Sequence, residues 1–550
     1  MVGIATFDST IHFYNLTKSL QQPPMLVVPD VQDVYAPLQA GLVVSLSECR
    51  EHLEQLLGNI PSMFQDNRTA DSAFGAAVKG AFLALKPTGG KLLVFQSVLP
   101  SVGIGALSGR EAEGKANAAA GEKEAQKLLQ PVDKTLKTMA IDFAEYQVCV
   151  DVFLTSQTFV DIASITVVPR TTGGQMYYYY PFSAQMDSAK LYNDLRWNVT
   201  RPQGLEAVMR VRCSQGLQVQ DYYGNFCRRI PTDVDLPAID CDKTIMVTFK
   251  HDDKFQDGSL CCFQCALLYT TMSGERRIRI NTLAISCTSI LSNLFRGADL
   301  DAQFTYFLKH AAQATPAAPL QQIREQIVNQ CVNILYTYRK FCATASSAGQ
   351  LILPEALKLL PLYTLALTKS IGLRNDGRVD ERSYWLTRAL SLSTSLAIPL
   401  VYPRLFAIHD VLSQDLGEEI LPPVLPLSSE NLDQAGVFLL EAGEDAFLYT
   451  GKSVAPELLH QLFGVHSLNE IYPGQFLLQE YDNDASKKLN DLINKIRRQR
   501  CSYLRLHLLR RGEPLENLFL SFLVEDKTSL GLSYVEFLVH VHRQIQNKMS

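Results

Sequence analysis

The chain has 550 residues, 47% of them hydrophobic and 19% charged. That is the composition of a globular protein, and it excludes a disordered, collagenous or coiled-coil chain; at roughly 150 residues per domain it calls for about three to five domains. Its 51 Lys and Arg against 56 Asp and Glu leave a formal charge of −5, which excludes a globally basic nucleic-acid binder but not a local basic face.

Over the first ~180 residues strand and helix signals alternate. Residues 4–16 are strand-like, with a polar turn at Asp8-Ser9, and 42–44 read as a short strand. Ser47 is placed to cap a helix whose Leu53, Leu56, Leu57 and Ile60 share one face. Phe74, Val78, Phe82 and Leu85 repeat that spacing until Pro87. Residues 91–97, 148–155 and 175–180 read as strands, and the Gly-, Ala-, Glu- and Lys-rich stretch 108–127 as a mobile surface loop. This alternation predicts a mostly parallel α/β sheet.

Around 185–285 helical periodicity gives way to β-rich runs at 207–213, 216–223, 244–250, 260–271 and 275–283, the spacing of a sandwich or barrel. From ~288 to ~400 the signal is helical. Ile323, Ile327, Cys331 and Ile334 share a face, and Pro354 suits the first turn of a helix with Leu357, Leu360 and Leu365 in the core. Beyond ~405 the pattern mixes. Two strands, 436–440 and 446–450, flank the Gly443-Glu444-Asp445 turn, after the proline-rich connector 421–426. Leu489, Leu492, Ile493 and Ile496 form a helical stripe, and 503–509 reads as a strand. Ser533 and Glu536 form a capping box for a last helix with Tyr534, Phe537, Leu538 and Val541.

No apolar run reaches the ~18 residues of a membrane-spanning helix, and Met1 to Asp8 lacks the regions of a secretory signal. The 12 cysteines mostly sit in apolar or strand-like runs, the usage of a reducing compartment. Catalytic signals are absent: there is no GxSxG and no HExxH. Residues 446–453 end in Gly-Lys-Ser like a phosphate-binding loop, but Phe447, Leu448 and Tyr449 occupy its loop positions, and a phosphate cradle needs glycines there. Residues 103–109 miss the dinucleotide-binding glycine spacing by one. Cys262 and Cys265 form a lone CxxC on a strand, read as core cysteines. His540 and His542 point apart on a helix.

The informative feature is Arg210-Val211-Arg212 within a strand. A period of two puts both guanidinium groups on one face of the sheet, a pair suited to the carboxylates of an acidic peptide. The alternative is a solvated face with internal ion pairs. Arg196, Arg201, Arg228 and Arg229 lie near in sequence, offset by Asp194, Glu206 and Asp221. Arg276, Arg277 and Arg279 make a second cluster. Lys487, Lys488, Lys495, Arg497, Arg498 and Arg500 read as a solvated helical face, the alternative being contact with an anionic surface.

Four stretches carry a resemblance to a known family: FDSTIHFYNL (7–16), VFQSVLPS (94–101), EAVMRVRC (206–213) and ALLYT with GERRIRI (266–270, 274–280). The ending EDK (525–527) with SYVEFL (533–538) agrees. Over its whole length the chain resembles the cargo-adaptor subunit of the COPII vesicle coat, the Sec24 family. The resemblance implies a von Willebrand A-like trunk over 1–182, a β-barrel over 183–286, a helical domain over 287–404 and a gelsolin-like domain over 405–524, with helix 525–550 returning to the helical domain. It further implies a non-enzymatic adaptor that selects transmembrane cargo and SNAREs by cytosolic sorting signals for endoplasmic-reticulum-to-Golgi transport. Implied partners are the GTPase-activating coat subunit, bound through the trunk, and a small Sar-type GTPase, engaged indirectly. The endoplasmic reticulum membrane surface is a third; nucleic acid is not one. The expected location is cytosolic, peripheral on that membrane and on vesicles, with the Golgi as a further station. The family's Arg-x-Arg, which helps bind acidic sorting signals, falls on Arg210 and Arg212.

Family members open with a disordered tail, a four-cysteine zinc finger and a first trunk strand, none of which this sequence shows. It therefore reads as N-terminally truncated, with no cofactor in this chain and structural zinc only in the upstream finger. Because the first trunk strand is central in such sheets, its two neighbours are expected to keep unpaired backbone, and the trunk to be poorly soluble. The family's barrel also recruits segments from before the finger. The alternative is the paralogous GTPase-activating coat subunit of the same architecture, which would insert an arginine finger into the GTPase.

Overall fold

The computed structural model describes residues 1–110, 126–343, 349–412, 421–470, 476–509, 514–529 and 531–549. The stretch read as a loop at 108–127 therefore lies largely outside the described residues.

The N-terminal unit opens with strands β1 (Ala5–Phe7), β2 (Ile11–Tyr14) and β3 (Met25–Val28), an antiparallel sheet in that order. Asp8 makes the first turn by accepting from the Thr10 amide at 2.9 Å. Helix α1 (Leu46–Phe64) follows. Ser47 lies inside its first turn rather than at the cap, and its hydroxyl meets that of Ser45 at 2.9 Å. Leu53 and Leu56 are buried against Tyr14 and Leu16, with Val2, Ile4, Val44 and Ile60 packed around them, whereas Leu57 is half exposed. The expected strand at 42–44 reduces to a single bridge between Val2 and Val44.

Helix α2 (Phe74–Leu85), strand β4 (Gly90–Gln96), helix α3 (Thr135–Glu145), strand β5 (Val148–Thr155), helices α4 (Ile162–Ile165) and α5 (Val167–Thr172), strand β6 (Met176–Tyr179) and helix α6 (Ser188–Thr200) complete the unit. Strands β4-β5-β6 are parallel. β5 is buried on both faces at seven successive positions, as expected of a parallel strand covered by helices. The mostly parallel sheet read from the sequence is in fact split: β4 pairs only with β5, β1 pairs only with β2, and no described strand joins the two.

The β-rich unit contains β7 (Gln203–Cys213), β8 (Leu217–Tyr223), β9 (Cys227–Ile230), β10 (Asp233–Asp240), β11 (Met246–His251), β12 (Leu260–Thr271) and β13 (Arg276–Ser286). A five-stranded sheet, β13-β12-β7-β10-β9, and the pair β11-β8 enclose Ala207, Met209, Tyr222, Val234 and Leu236. Strands β9 and β10 escaped the sequence reading because Pro231, Pro237 and two aspartates look like turn chemistry. Cys262 is exposed and Cys265 half-buried, so the pair read as core splits between the two faces of β12. At the sheet's edge, all eleven residues of β13 are exposed.

The helical unit comprises α7 (Leu291–Arg296), α8 (Leu300–Ala314), α9 (Leu320–Phe341), α10 (Leu360–Lys369), α11 (Val379–Ser391) and α12 (Thr394–Val401). Asp299 caps α8 by accepting from the Ala302 amide at 2.7 Å, and Phe304, Phe307, Leu308 and Ala311 form its buried stripe. Pro354 only precedes a short 3-10 turn, Glu355–Leu357; Pro361 occupies the first turn of α10 instead.

The last unit holds β14 (Arg404–Ala407), α13 (Ile408–Leu412), β15 (Val437–Ala442), β16 (Asp445–Thr450), α14 (Pro456–Phe463), α15 (Asp484–Arg498), β17 (Arg505–Leu509) and α16 (Pro514–Ser521). The sheet runs β14-β15-β16-β17, with β16 and β17 parallel. Residues 446–449 of the Gly-Lys-Ser stretch are buried strand. Helix α17 (Tyr534–Met549) opens on the expected capping box: the Ser533 amide donates to Glu536 at 3.0 Å and the Glu536 amide to Ser533 Oγ at 3.3 Å. Through Phe537, Val541 and Ile545 it packs on the core of the helical unit.

Two buried polar devices lock these units. Lys309 on α8 donates to the carbonyls of Ala389 (3.3 Å), Leu390 (2.7 Å) and Leu392 (2.8 Å), closing the C-terminal end of α11. Burial pushes its ammonium down to about 7. The unfolded chain therefore binds the proton more tightly, and this residue makes stability rise as pH climbs from about 7 towards the free-lysine value of 10.5. Lys309→Met strands three buried acceptors and is expected to cost about 1–3 kcal/mol in denaturant unfolding at pH 6. It should also flatten the rise in stability above neutrality.

The second device is Glu444, in the β15–β16 turn. It lies 3.1 Å from Lys190 Nζ of α6, 3.1 Å from Arg388 Nε of α11, and accepts from the Tyr384 hydroxyl at 2.5 Å. Asp194 adds a 2.9 Å ion pair to Lys190 and accepts from the Tyr503 amide at 2.6 Å. The N-terminal, helical and last units thus meet on one carboxylate.

Candidate functional site

Arg210 and Arg212 sit on β7, the middle strand of the five-stranded sheet. Their neighbours Met209 and Val211 turn into the core, so the two arginines share the opposite, outward face. β10 places Asp233 directly across from Arg210, and β12 places Gln264 across from Arg212. Arg210 forks onto Asp233 through Nε and Nη2, the latter at 2.7 Å. Arg212 is exposed and donates one bond, from Nη1 to Gln264 Oε1 at 3.3 Å.

The electrostatics follow from this contact. The hydrogen bond from Arg210 holds the Asp233 carboxyl below the usual range, and the same bond raises the Arg210 guanidinium. Each guanidinium carries five N–H donors, so both keep donors to spare after these contacts. One internal ion pair and one open arginine stand side by side on this face.

The other nearby arginines do not join it. Arg201 is buried against Asp240 (2.9 Å) and Asp242 (3.2 Å). Arg229 pairs with Asp235 at 2.7 Å, and Arg228 lies over the Tyr222 ring. Arg276 turns back on Thr270 and Glu206, and Arg277 pairs with Glu275. Along α15, Lys487 pairs with Asp482, Lys488 reaches the Leu412 carbonyl and Arg497 lies over Tyr503.

Asp233 and Gln264 are the site residues that sequence reasoning missed. Gln264 sat in a recognised strand and lacked only its register; Asp233 lay in the unrecognised β10. Across β12, the same outward face continues to Ile278 and Ile280 of β13, both more than half exposed. The face therefore offers cationic forks beside apolar surface, complementary to an acidic peptide with an apolar residue nearby. Among the described residues, no group of three or more His, Cys, Asp or Glu is placed to hold a metal ion, and no helix is long and apolar enough to cross a membrane.

Four family descriptions match the chain in order. They are the Sec23/Sec24 trunk domain (1–199), beta-sandwich domain (204–288) and helical domain (299–399), and a gelsolin repeat (418–493). Protein transport protein SEC24 B of Arabidopsis thaliana is 67% identical over 550 residues, covering 100% of this chain and 50% of that protein. Human protein transport protein Sec24C is 39% identical over 555 residues, again 100% and 50%. The crystal structure of the human COPII-coat protein Sec24c superposes with a TM-score of 0.93 at 37% identity, covering 100% of this chain and 71% of that one. The chain spans about half the length of the curated relatives it matches.

Proposed function

The chain belongs to the Sec24 family of COPII coat proteins, and on that premise we propose that it is a non-enzymatic cargo adaptor. In this reading it selects transmembrane cargo and SNAREs by acidic cytosolic sorting peptides for transport from the endoplasmic reticulum to the Golgi, with Arg210 and Arg212 as the recognition fork. It pairs with the GTPase-activating coat subunit through the N-terminal trunk, meets a small Sar-type GTPase indirectly and lies peripherally on the endoplasmic reticulum membrane. It uses no cofactor of its own; structural zinc belongs to the upstream finger of the family.

The observation that carries the reading is the paired guanidinium groups on one outward sheet face with N–H donors unspent. Bidentate, charge-assisted bonds from arginine are the strong way to hold a carboxylate.

The test is titration of a di-acidic Asp-x-Glu sorting peptide against the wild type and Arg210→Ala/Arg212→Ala, at low and moderate salt. Removing both forks is expected to weaken binding roughly 30-fold or more, and wild-type binding to fall with salt. Asp233→Asn, which releases Arg210 from its partner, is expected to tighten binding roughly 3- to 10-fold. Equal affinity of all three chains for the peptide sinks the assignment.

A further inference from the structure

Helix α17 carries apolar residues on two sides. Phe537, Val541 and Ile545 are buried on the core of the helical unit. Val535 and Val539, one turn apart, point elsewhere and are 71% and 55% exposed; Leu532, just before the helix, is 41% exposed. A helix that packs on one core needs one apolar stripe, and its outer face is ordinarily polar. With Glu536, His540 and Arg543, these three residues line a recess of about 330 Å³.

The charges in this recess are not balanced. The Glu536 carboxylate is already spent, on Lys527 Nζ at 2.6 Å and on the Ser533 amide at 3.0 Å. Arg543 is exposed and makes no hydrogen bond or ion pair among the described residues. From Phe537 to Ser550 the sequence holds no Asp or Glu, against Arg543, Lys548 and the two histidines His540 and His542. The outer face of α17 is therefore apolar towards its start and cationic towards its end, with one guanidinium unspent.

We propose that this outer face binds an acidic amphipathic helix, laid antiparallel to α17, whose apolar residues cover Val535 and Val539 and whose carboxylate meets Arg543. Val535, Val539 and Arg543 follow at i, i+4 and i+8, so they share a side and span about 12 Å at ~1.5 Å per residue. A partner with an acidic residue in its first turn and leucines four and eight residues later repeats that spacing in reverse. Antiparallel packing leaves the acid at the partner's N-terminus, where the partner's own helix dipole favours it. Charge complementarity selects an acidic partner, and the recess selects a peptide over a lipid surface. A side chain fills a concavity that a flat bilayer does not enter, and polybasic membrane sites use about four or more clustered Lys and Arg. The site lies apart from Arg210 and Arg212 and does not rest on the reading of that pair.

The experiment titrates the full 550-residue chain into two labelled, blocked peptides, Ac-SEEAALQAALQAAQ-NH2 and its lysine counterpart Ac-SKKAALQAALQAAQ-NH2, at up to millimolar protein. The acidic peptide is expected to bind about 10-fold or more tightly than the basic one. Arg543→Glu should reverse that preference, and Val535→Ser/Val539→Ser should weaken the acidic peptide about 10-fold or more. All three positions are exposed, so an unchanged thermal melt is expected to accompany both variants. Arg210→Ala/Arg212→Ala should bind the acidic helix as the wild type does, so failure of this site is distinguishable from failure of the sheet site. Absence of binding, an unreversed preference in Arg543→Glu, unchanged affinity in the serine variant, or loss of binding in the Arg210/Arg212 variant would each overturn the proposal. So would binding to phosphatidylserine vesicles that is lost in Arg543→Glu while neither peptide binds, which would give the face to a membrane.

Discussion

Glu444→Ala is expected to lose about 3–5 kcal/mol of unfolding free energy, read as a fall in the denaturant midpoint near neutral pH. The substitution leaves Arg388 without a carboxylate and Lys190 with Asp194 alone, and both cations are largely buried. An ion pair taken whole from water contributes little, but removing one partner strands the other charges in low dielectric. Here one carboxylate answers two cations and a tyrosine hydroxyl from separate units, so the loss should also uncouple them. Glu444→Gln keeps the shape and one acceptor and should fall between the two chains. The pH dependence has a definite sign. Burial pushes the Glu444 carboxyl up, but Lys190 and Arg388 outweigh it and hold it at about 2, below its ordinary 4.5. A depressed carboxyl stabilises the fold fully above about 4.5, and that contribution drains away as pH falls towards 2. The gap between wild type and Glu444→Gln should therefore narrow between pH 5 and pH 3. A constant gap would mean that Glu444 holds its neighbours by packing rather than by charge.

The elements that could be read from the sequence are those whose signal is local and periodic. The strand-like run 148–155, the helical stripe of Leu489, Leu492, Ile493 and Ile496, and the Ser533/Glu536 capping box each appear as expected. What could not be read depends on partners distant in sequence. Arg210 and Arg212 were visible as a pair on one face, but Asp233 lies 23 residues on, and only the β7–β10 register brings it onto Arg210. Lys190, Arg388 and Glu444 lie far apart in sequence, on two helices and in a turn. Nothing in their local sequence marks them as one buried cluster.

At micromolar concentration the 550-residue chain is expected to self-associate, and Ile278→Lys/Ile280→Lys to weaken that association roughly 100-fold, a change of about 2.7 kcal/mol. Edge strands in stable proteins are kept short, twisted, charged or covered, because a row of free N–H and C=O groups is a template for another strand. β13 is long, with eleven residues, and every one is exposed. It shows apolar side chains on both faces, Ile278 and Ile280 on one and Leu283 and Ile285 on the other. Its arginines moderate the hazard only in part, since Arg277 is neutralised by Glu275. β4 presents a second open edge, with Phe95 about half exposed. Lysines at 278 and 280 charge the apolar face of β13 while leaving its backbone pairing with β12 intact, so sedimentation should shift towards the monomer with the fold retained. If the wild type is already monomeric, the edge is protected by its twist and the prediction fails. If the variant associates as strongly as the wild type, the contact runs through another surface, and β4 becomes the strand to charge next. The same edges make a second arm possible. A peptide strand that pairs with β13 or β4 should suppress association in the unsubstituted chain and raise its melting temperature, because it satisfies the same backbone groups.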